Sequence, residues 1–501
     1  MTVSSIGAQT AIAVQRLVDM RAQFDELQRQ LSTGQKSATY AGLGLDRGIT
    51  VSLNAQLSAI GAYDNTIANV MTRITLMNNA LNGMTDLTSI VKAAMAQAPS
   101  GANGTGPALA QQSGQNALDQ LLGLLNTQAG GRYLFSGRAT DQPAVETIDH
   151  ILDGDGARAG LKQLIDERNQ ADLGASGLGR LSVNTPTATS VEIAEDAAPP
   201  FGFKLASVTS NLTNATVTGP AGSPATLTVD MTGGNPNDGD AISFRFTLPD
   251  GTSENLTLAA TTSFSPCAGQ FTIGATTADT TTNLKNARTA SLGKLAATSL
   301  TAASAVAASE DFFNADATSP PQRVAGPPFD TATTMVAGTT ANTVIWYTGE
   351  IDGDPARATA SARIDASLVV SYGARANEDA IRTLVQNTAT LAALTVSPGD
   401  PNGTELSAAL NQRLVGNLSP GPGSQAISDI ATEIASAQSS LDAAQKRHQQ
   451  TAATLKDFLQ QVTGVSNEDV GAQILALQTR MQASMQTTAM LFQTSLVNYL
   501  R

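Results

Sequence analysis

The sequence predicts an α+β fold: a long antiparallel helical coiled-coil rod formed by both chain ends, with an inserted β-rich outer region. Three observations carry this. Ile6, Thr10, Ala13, Leu17, Met20, Phe24, Leu27 and Leu31 follow an alternating four–three step, the spacing of a coiled-coil seam. Near the other end Ile427, Ile430, Ile434, Ala437, Leu441, Ala444, His448, Thr451, Leu455, Phe458 and Val462 do the same, and Ile474, Leu477, Met481, Met485, Thr488, Phe492, Leu496 and Tyr499 repeat it more loosely. Between the ends the period changes from helical to twofold: Ile242, Phe244, Phe246 and Leu248 alternate with polar residues before Pro249-Asp250-Gly251 turns the chain.

Taken in order, a first helix is expected from Ser5 to about Gly34, broken at Ser32-Thr33-Gly34 and followed by a loop carrying Gly42, Gly44 and Gly48. A second should run over 49–98 with Val51, Leu53, Leu57, Ile60, Ile67, Ile74, Leu81, Leu87 and Val91 as its stripe. Pro99 and the glycines of 100–107 end it. A third, over 108–129, stops at Gly130-Gly131. Thr-rich alternation over 181–310 reads as strands, with a short helix over 278–297, and the Pro/Gly-rich stretch 315–330 reads as a linker. Strands return at Val344-Ile345-Trp346-Tyr347 and within 358–372, a helix follows over 377–393, and beyond Ser424 the chain is helical except near Gly464-Val465-Ser466.

Composition narrows the function. Only 14% of residues are charged, against roughly 25% in an average soluble domain, yet 41% are hydrophobic, so the chain should fold instead of remaining disordered. The net charge of −13 and the lack of Lys/Arg clusters argue against nucleic acid as a partner. No run of 18 apolar residues exists, so membrane insertion is not expected. Met1 to Arg16 show no basic leader with a cleavage site, which suits a cytoplasmic protein or export without a cleaved signal.

Site chemistry is sparse. His150 and His448 are the only histidines, and His448 on the seam reads as a packed residue. Cys267 is the single cysteine and reads as a small buried residue. Asp153-Gly154-Asp155-Gly156 and the 235–240 stretch lack the twelve-residue calcium loop and read as turns. No metal site, cofactor or nucleophile–base–acid set can be assembled, so an enzyme is not expected.

Four stretches then carry a resemblance: Gln30-Leu31-Ser32-Thr33-Gly34, Gly131-Arg132-Tyr133-Leu134-Phe135-Ser136-Gly137, Ala472-Gln473-Ile474-Leu475-Ala476-Leu477-Gln478, and Thr494-Ser495-Leu496-Val497-Asn498-Tyr499-Leu500. Together they resemble the bacterial flagellin and hook–filament junction family, the second stretch being most similar to hook-associated protein 3. One departure is the loop Gln35–Gly44, where many members carry an Asn-Ser-Ala-Asp-Asp-like segment. The resemblance implies an extracellular structural subunit of the flagellum, either filament flagellin or the junction protein. Its partners would be copies of itself or related flagellar subunits, the export apparatus and an export chaperone. It also implies three layers: terminal helices 1–40 with 465–501 as an inner tube, a helical rod domain of 41–180 with 340–464, and a variable β-rich domain of 181–339. The residues expected to carry self-assembly are Ile6, Leu17, Phe24, Leu27, Leu31, Ile474, Leu477, Met481, Met485, Phe492, Leu496 and Tyr499. A secreted adhesin whose β-rich middle binds a surface ligand is the alternative, and a cytoplasmic scaffold is a third.

Physical chemistry agrees with buried ends. Residues 471–500 contain one charged side chain, Arg480, whereas a coiled coil wetted on its far side carries Glu and Lys there. A buried Leu, Ile or Met contributes about 1.5–3 kcal/mol, and ordering one residue costs about 1–2 kcal/mol. A lone helix with one stripe sits near balance, so residues 1–30 and 470–501 are expected to order only on assembly.

Overall fold

A computed structural model describes residues 3–97, 106–196, 200–397, 399–419 and 421–499. It divides into two compact units, residues 1–70 with 362–370 and 439–501, and residues 71–361 with 371–438. The division falls within two long helices, α2 (Arg47–Gln97) and α10 (Ile427–Thr463).

In the first unit, helix α1 (Val3–Thr33) packs along α11 (Asn467–Tyr499). Gly34 ends α1 in the left-handed region at φ 66°, and its amide reaches back to the Gln30 carbonyl at 2.7 Å. The turn that follows is tied to the turn between α10 and α11. The Lys36 amide donates to the Thr463 carbonyl at 2.8 Å, and the Val465 amide to that of Gly34 at 3.1 Å. Ser466 caps α11 by accepting from the Asp469 amide at 3.2 Å. His448 of α10 is buried as expected, with Nδ1 2.8 Å from the Asp64 carboxylate of α2 and its ring 5.9 Å from that of Tyr63.

Neither terminal stripe stands alone in the fold: α1 and α11 cover each other's seams. Along α1 the less exposed positions are Ala13, Leu17, Met20, Phe24 and Leu27. Along α11 they are Val470, Ile474, Leu477, Met481, Ser484 and Thr488, again in strict four–three steps. On α2, Val51 is exposed and Leu53 takes the buried position. On α10 the buried stripe takes two successive four-residue steps, Ala444 to His448 to Ala452, so Thr451 and Phe458 turn outward and Leu455 and Leu459 inward. A local insertion of this kind is a stutter in the seam.

The second unit holds α3 (Gly106–Leu125), α4 (Ile148–Asp153), α5 (Leu161–Leu173) and the β-rich region. Helix α3 ends earlier than its pattern suggested. Gly130 and Gly131, both with positive φ, bend β1 (Gln128–Ala129) back on β2 (Arg132–Tyr133). Two four-stranded sheets follow. One pairs β3 (Leu181–Thr187), β4 (Ser190–Glu195), β7 (Thr226–Asp230) and β6 (Thr216–Ala221) in that order. The other has the order β10 (Gln270–Thr272), β9 (Ser253–Thr261), β8 (Ala241–Thr247) and β5 (Lys204–Ser210), with β10 parallel to β9. Ile242, Phe244, Phe246 and Leu248 are buried, as their alternation predicts.

The Pro249-Asp250-Gly251 turn forms as expected, closed by the Gly251 amide to the Leu248 carbonyl at 2.9 Å, with Gly251 at φ 76°. Gly251→Ala should lower the stability of this unit by about 1–2 kcal/mol, the cost of a left-handed backbone for an L side chain; chemical denaturation measures it.

Helix α6 (Thr277–Leu295) opens on a capping box between Thr276 and Asp279 and shares the core of both sheets through Leu284 and Leu292. The helical path does not end there. It continues through a π turn over 296–300 into α7 (Thr301–Asn314). Ala302, Ala303, Ser304, Ala305 and Ser309 of α7 are buried. Small side chains let α5 and α8 (Asp379–Ala393) pack closely on it, and the same side chains gave no stripe to read in the sequence.

Segment 315–330 is not a free linker: β11 (Gln322–Val324) pairs with β12 (Met335–Ala337), and Arg323 forms an ion pair with buried Glu167 of α5. Val344–Tyr347 is not a strand either. It makes single bridges, Thr343 with Ala159 and Tyr347 with Val145, and the Trp346 indole donates to the Phe313 carbonyl at 2.9 Å. Its apolar run records burial on every side without a neighbouring ladder. Of 358–372, Ser361–Arg363 (β13) and Val369–Ser371 (β14) form strands. Helix α9 (Gly403–Asn417) fills the stretch between the breaks near 400 and 420.

A buried polar hub joins these parts. Asp172 accepts at 2.8 Å from each of Arg168 Nε, the Gly202 amide and Ser304 Oγ. Burial pushes its carboxyl above the usual range, against the pull of Arg168. Cys267 is exposed, contrary to expectation, because it lies in the loop between β9 and β10 and not on a strand facing the core. Asp155 and Asp240 direct oxygens to backbone amides, as turn residues do.

Candidate assembly surface

The α1–α11 pair brings together part of the residue set expected to carry assembly. Leu17, Phe24, Leu27, Ile474 and Met481 are half-buried, and Leu477 is the most enclosed of the set at 7% exposure. Leu31 and Met485 are exposed. Met485 is displaced because the heptad passes through Ser484 instead. The side chains of Ile6, Phe492, Leu496 and Tyr499 lie outside the described residues.

A second apolar set was not recognised from the sequence. Ile12, Val14 and Val18 on α1 and Leu475 and Met490 on α11 point away from the shared seam, with Val18 56% and Leu475 66% exposed. Their signal was present as apolar residues at non-seam positions, where a self-sufficient coiled coil carries charge. The loop after α1 adds Tyr40 and a fully exposed Leu45 on a 3-10 turn over Tyr40–Asp46 that has no buried residue.

On α1 the charged side chains occupy positions off the seam. Glu26 and Arg29 pair at 2.6 Å, and the guanidinium holds the Glu26 carboxyl down at about 2. Such an exposed pair one turn apart adds little stability. From 471 to 490, Arg480 apart, α11 offers amides, hydroxyls, methyls and thioethers, groups that can be enclosed by neighbours at small desolvation cost. The arrangement is a surface for helix-on-helix packing. No helix among the described residues is long and apolar enough to cross a membrane.

A long helical N-terminal region, a C-terminal helix paired with it, and a β-rich insertion between them make an α+β fold of flagellin-like layout. Residues 5–140, from α1 through the β1–β2 hairpin, match the bacterial flagellin N-terminal helical region. No curated protein matches it.

Proposed function

We propose that this chain is a flagellar structural subunit that assembles with copies of itself or related flagellar subunits through α1 and α11. In this reading residues 1–40 with 465–501 line the inside of a tube. Residues 41–180 with 340–464 form the surrounding wall, and 181–339 face outward. The subunit reaches the cell exterior through the flagellar export apparatus, accompanied by an export chaperone. The observation that carries the reading is the set of exposed apolar side chains off the seam of an already paired helix couple: Ile12, Val14 and Val18 on α1 and Leu475 on α11.

Amide hydrogen exchange on monomer and on shed appendages tests it. In the monomer, α1 and α11 should exchange orders of magnitude faster than the β8–β9 core, because each is covered on one face only. In the appendage the same amides should be protected. Equal protection in both states would overturn the reading. Antibody labelling by electron microscopy separates the two family roles: staining along the whole appendage marks a filament protein, and staining confined to its base marks a junction protein.

A further inference from the structure

Within the second unit, the β8–β9 turn, α7, α8 and α9 enclose a cleft of about 640 Å³, in the size range of small-molecule sites. Its floor is the ion pair between Arg413 Nε and Asp250 at 2.8 Å, both side chains nearly fully buried. Four of the five Arg413 N–H donors are engaged within the protein. Nη1 donates to the Ala409 carbonyl at 2.9 Å, and Nη2 lies 3.3 Å from both Thr252 Oγ1 and Glu254.

Beside the neutral amides of Gln386, Gln412 and Asn417, two acceptors in the cleft stand without a recorded donor or ion-pair partner among the described residues. Glu310 of α7 lines it, is exposed, and has no ion-pair partner among the described residues. Asn387 of α8 lines it with 1% exposure. Its Nδ2 donates to the Thr383 carbonyl at 2.7 Å, which fixes the amide orientation, and its Oδ1 accepts no hydrogen bond. A buried acceptor without a donor is costly in a native structure. Three carboxylates line the cleft against one guanidinium, so the local charge favours a cation. Among the described residues no aromatic side chain lines it, so they offer no stacking platform for a sugar or planar ring.

We propose that this cleft binds a small organic cation carrying several N–H donors, an alkylammonium or alkylguanidinium, with Glu310 facing its charge and Asn387 Oδ1 accepting one of its protons. The binding site is separate from the assembly helices, so it stands or falls independently of the functional reading above.

Calorimetric titration of the full-length monomer with agmatine and with spermidine at low salt tests the proposal. One-site saturable binding is expected for at least one of them, weakening as salt is raised. Glu310→Gln and Asn387→Leu should each weaken binding at least tenfold, with melting curves confirming that each variant folds. Should Asn387→Leu fail to fold, the exposed Glu310→Gln variant decides the matter. The proposal is overturned if neither cation binds saturably, if the folded variants bind as tightly as wild type, or if glucose competes as well as the cations do.

Discussion

Leu477→Asp should abolish assembly while leaving the β-rich core at its wild-type melting temperature. Leu477 is the best-covered member of the α11 stripe, and its neighbours along the seam, Ile474 and Met481, are only half-buried. Loss of the side chain alone costs about 2–5 kcal/mol at a buried leucine. A carboxylate in its place adds a desolvation cost of several kcal/mol. A helix couple covered on one face has little reserve against such a loss. The core formed by the two sheets and α6 draws on none of these residues. Electron microscopy of shed appendages and calorimetric melting of the purified chain read the two halves of this expectation. Thr218→Asp on β6, an exposed position on an edge strand, is the matched control and should assemble normally. Equal assembly by both variants would refute the assignment of assembly to α11.

Arg288→Met should raise the stability of the β-rich region by about 1–4 kcal/mol, the range seen when buried charges give way to apolar side chains. Arg288 lies on α6 with no solvent exposure, and none of its guanidinium nitrogens has a hydrogen-bond partner. Its guanidinium carbon lies over the face of Phe244, 4.5 Å from the ring centre. Burial pushes its pKa down to about 9. At neutral pH the group is therefore still charged and carries an unrelieved desolvation cost. The pH dependence follows in sign. Between about 9 and the ordinary arginine value the unfolded chain holds a proton that the native chain has shed, so this group's contribution to stability rises with pH. The gain from Arg288→Met should therefore be full below pH 9 and shrink above it. Denaturant titrations at pH 7 and pH 10 measure both values, and a destabilised variant at pH 7 would refute the account.

Legibility in the sequence tracked side-chain size. The α1 stripe, the α10 stripe as far as His448 and the β8 alternation were readable because Leu, Ile, Phe and Met mark buried faces directly. Where the buried face is built from Ser, Thr and Ala, the pattern misled or fell silent. Ser484 and Thr488 hold seam positions that Met485 seemed to claim, and α7 is buried through alanines and serines that resemble a loop composition. Val344–Tyr347 erred in the other direction, since a β-branched and aromatic run states that a segment is buried and not what it pairs with. Of the assembly surface, the inward seam could be read from spacing. The outward set, Ile12, Val14, Val18 and Leu475, needed the pairing of α1 with α11 before it could be separated from ordinary core. The hub around Asp172 includes a contact with Ser304, 132 positions away, which no local pattern records.

The backbone clasp between Gly34–Lys36 and Thr463–Val465 places the departure points of α1 and α11 side by side. Phasing between the two helices is thus set at one end, by main-chain atoms, and carried outward through a rise of about 1.5 Å and a rotation of about 100° per residue. A side-chain substitution along either helix can loosen their grip without changing which residues face each other. A residue gained or lost at the clasp does the opposite: it leaves every seam side chain in place in the sequence and swings the whole of one helix round by more than a quarter turn.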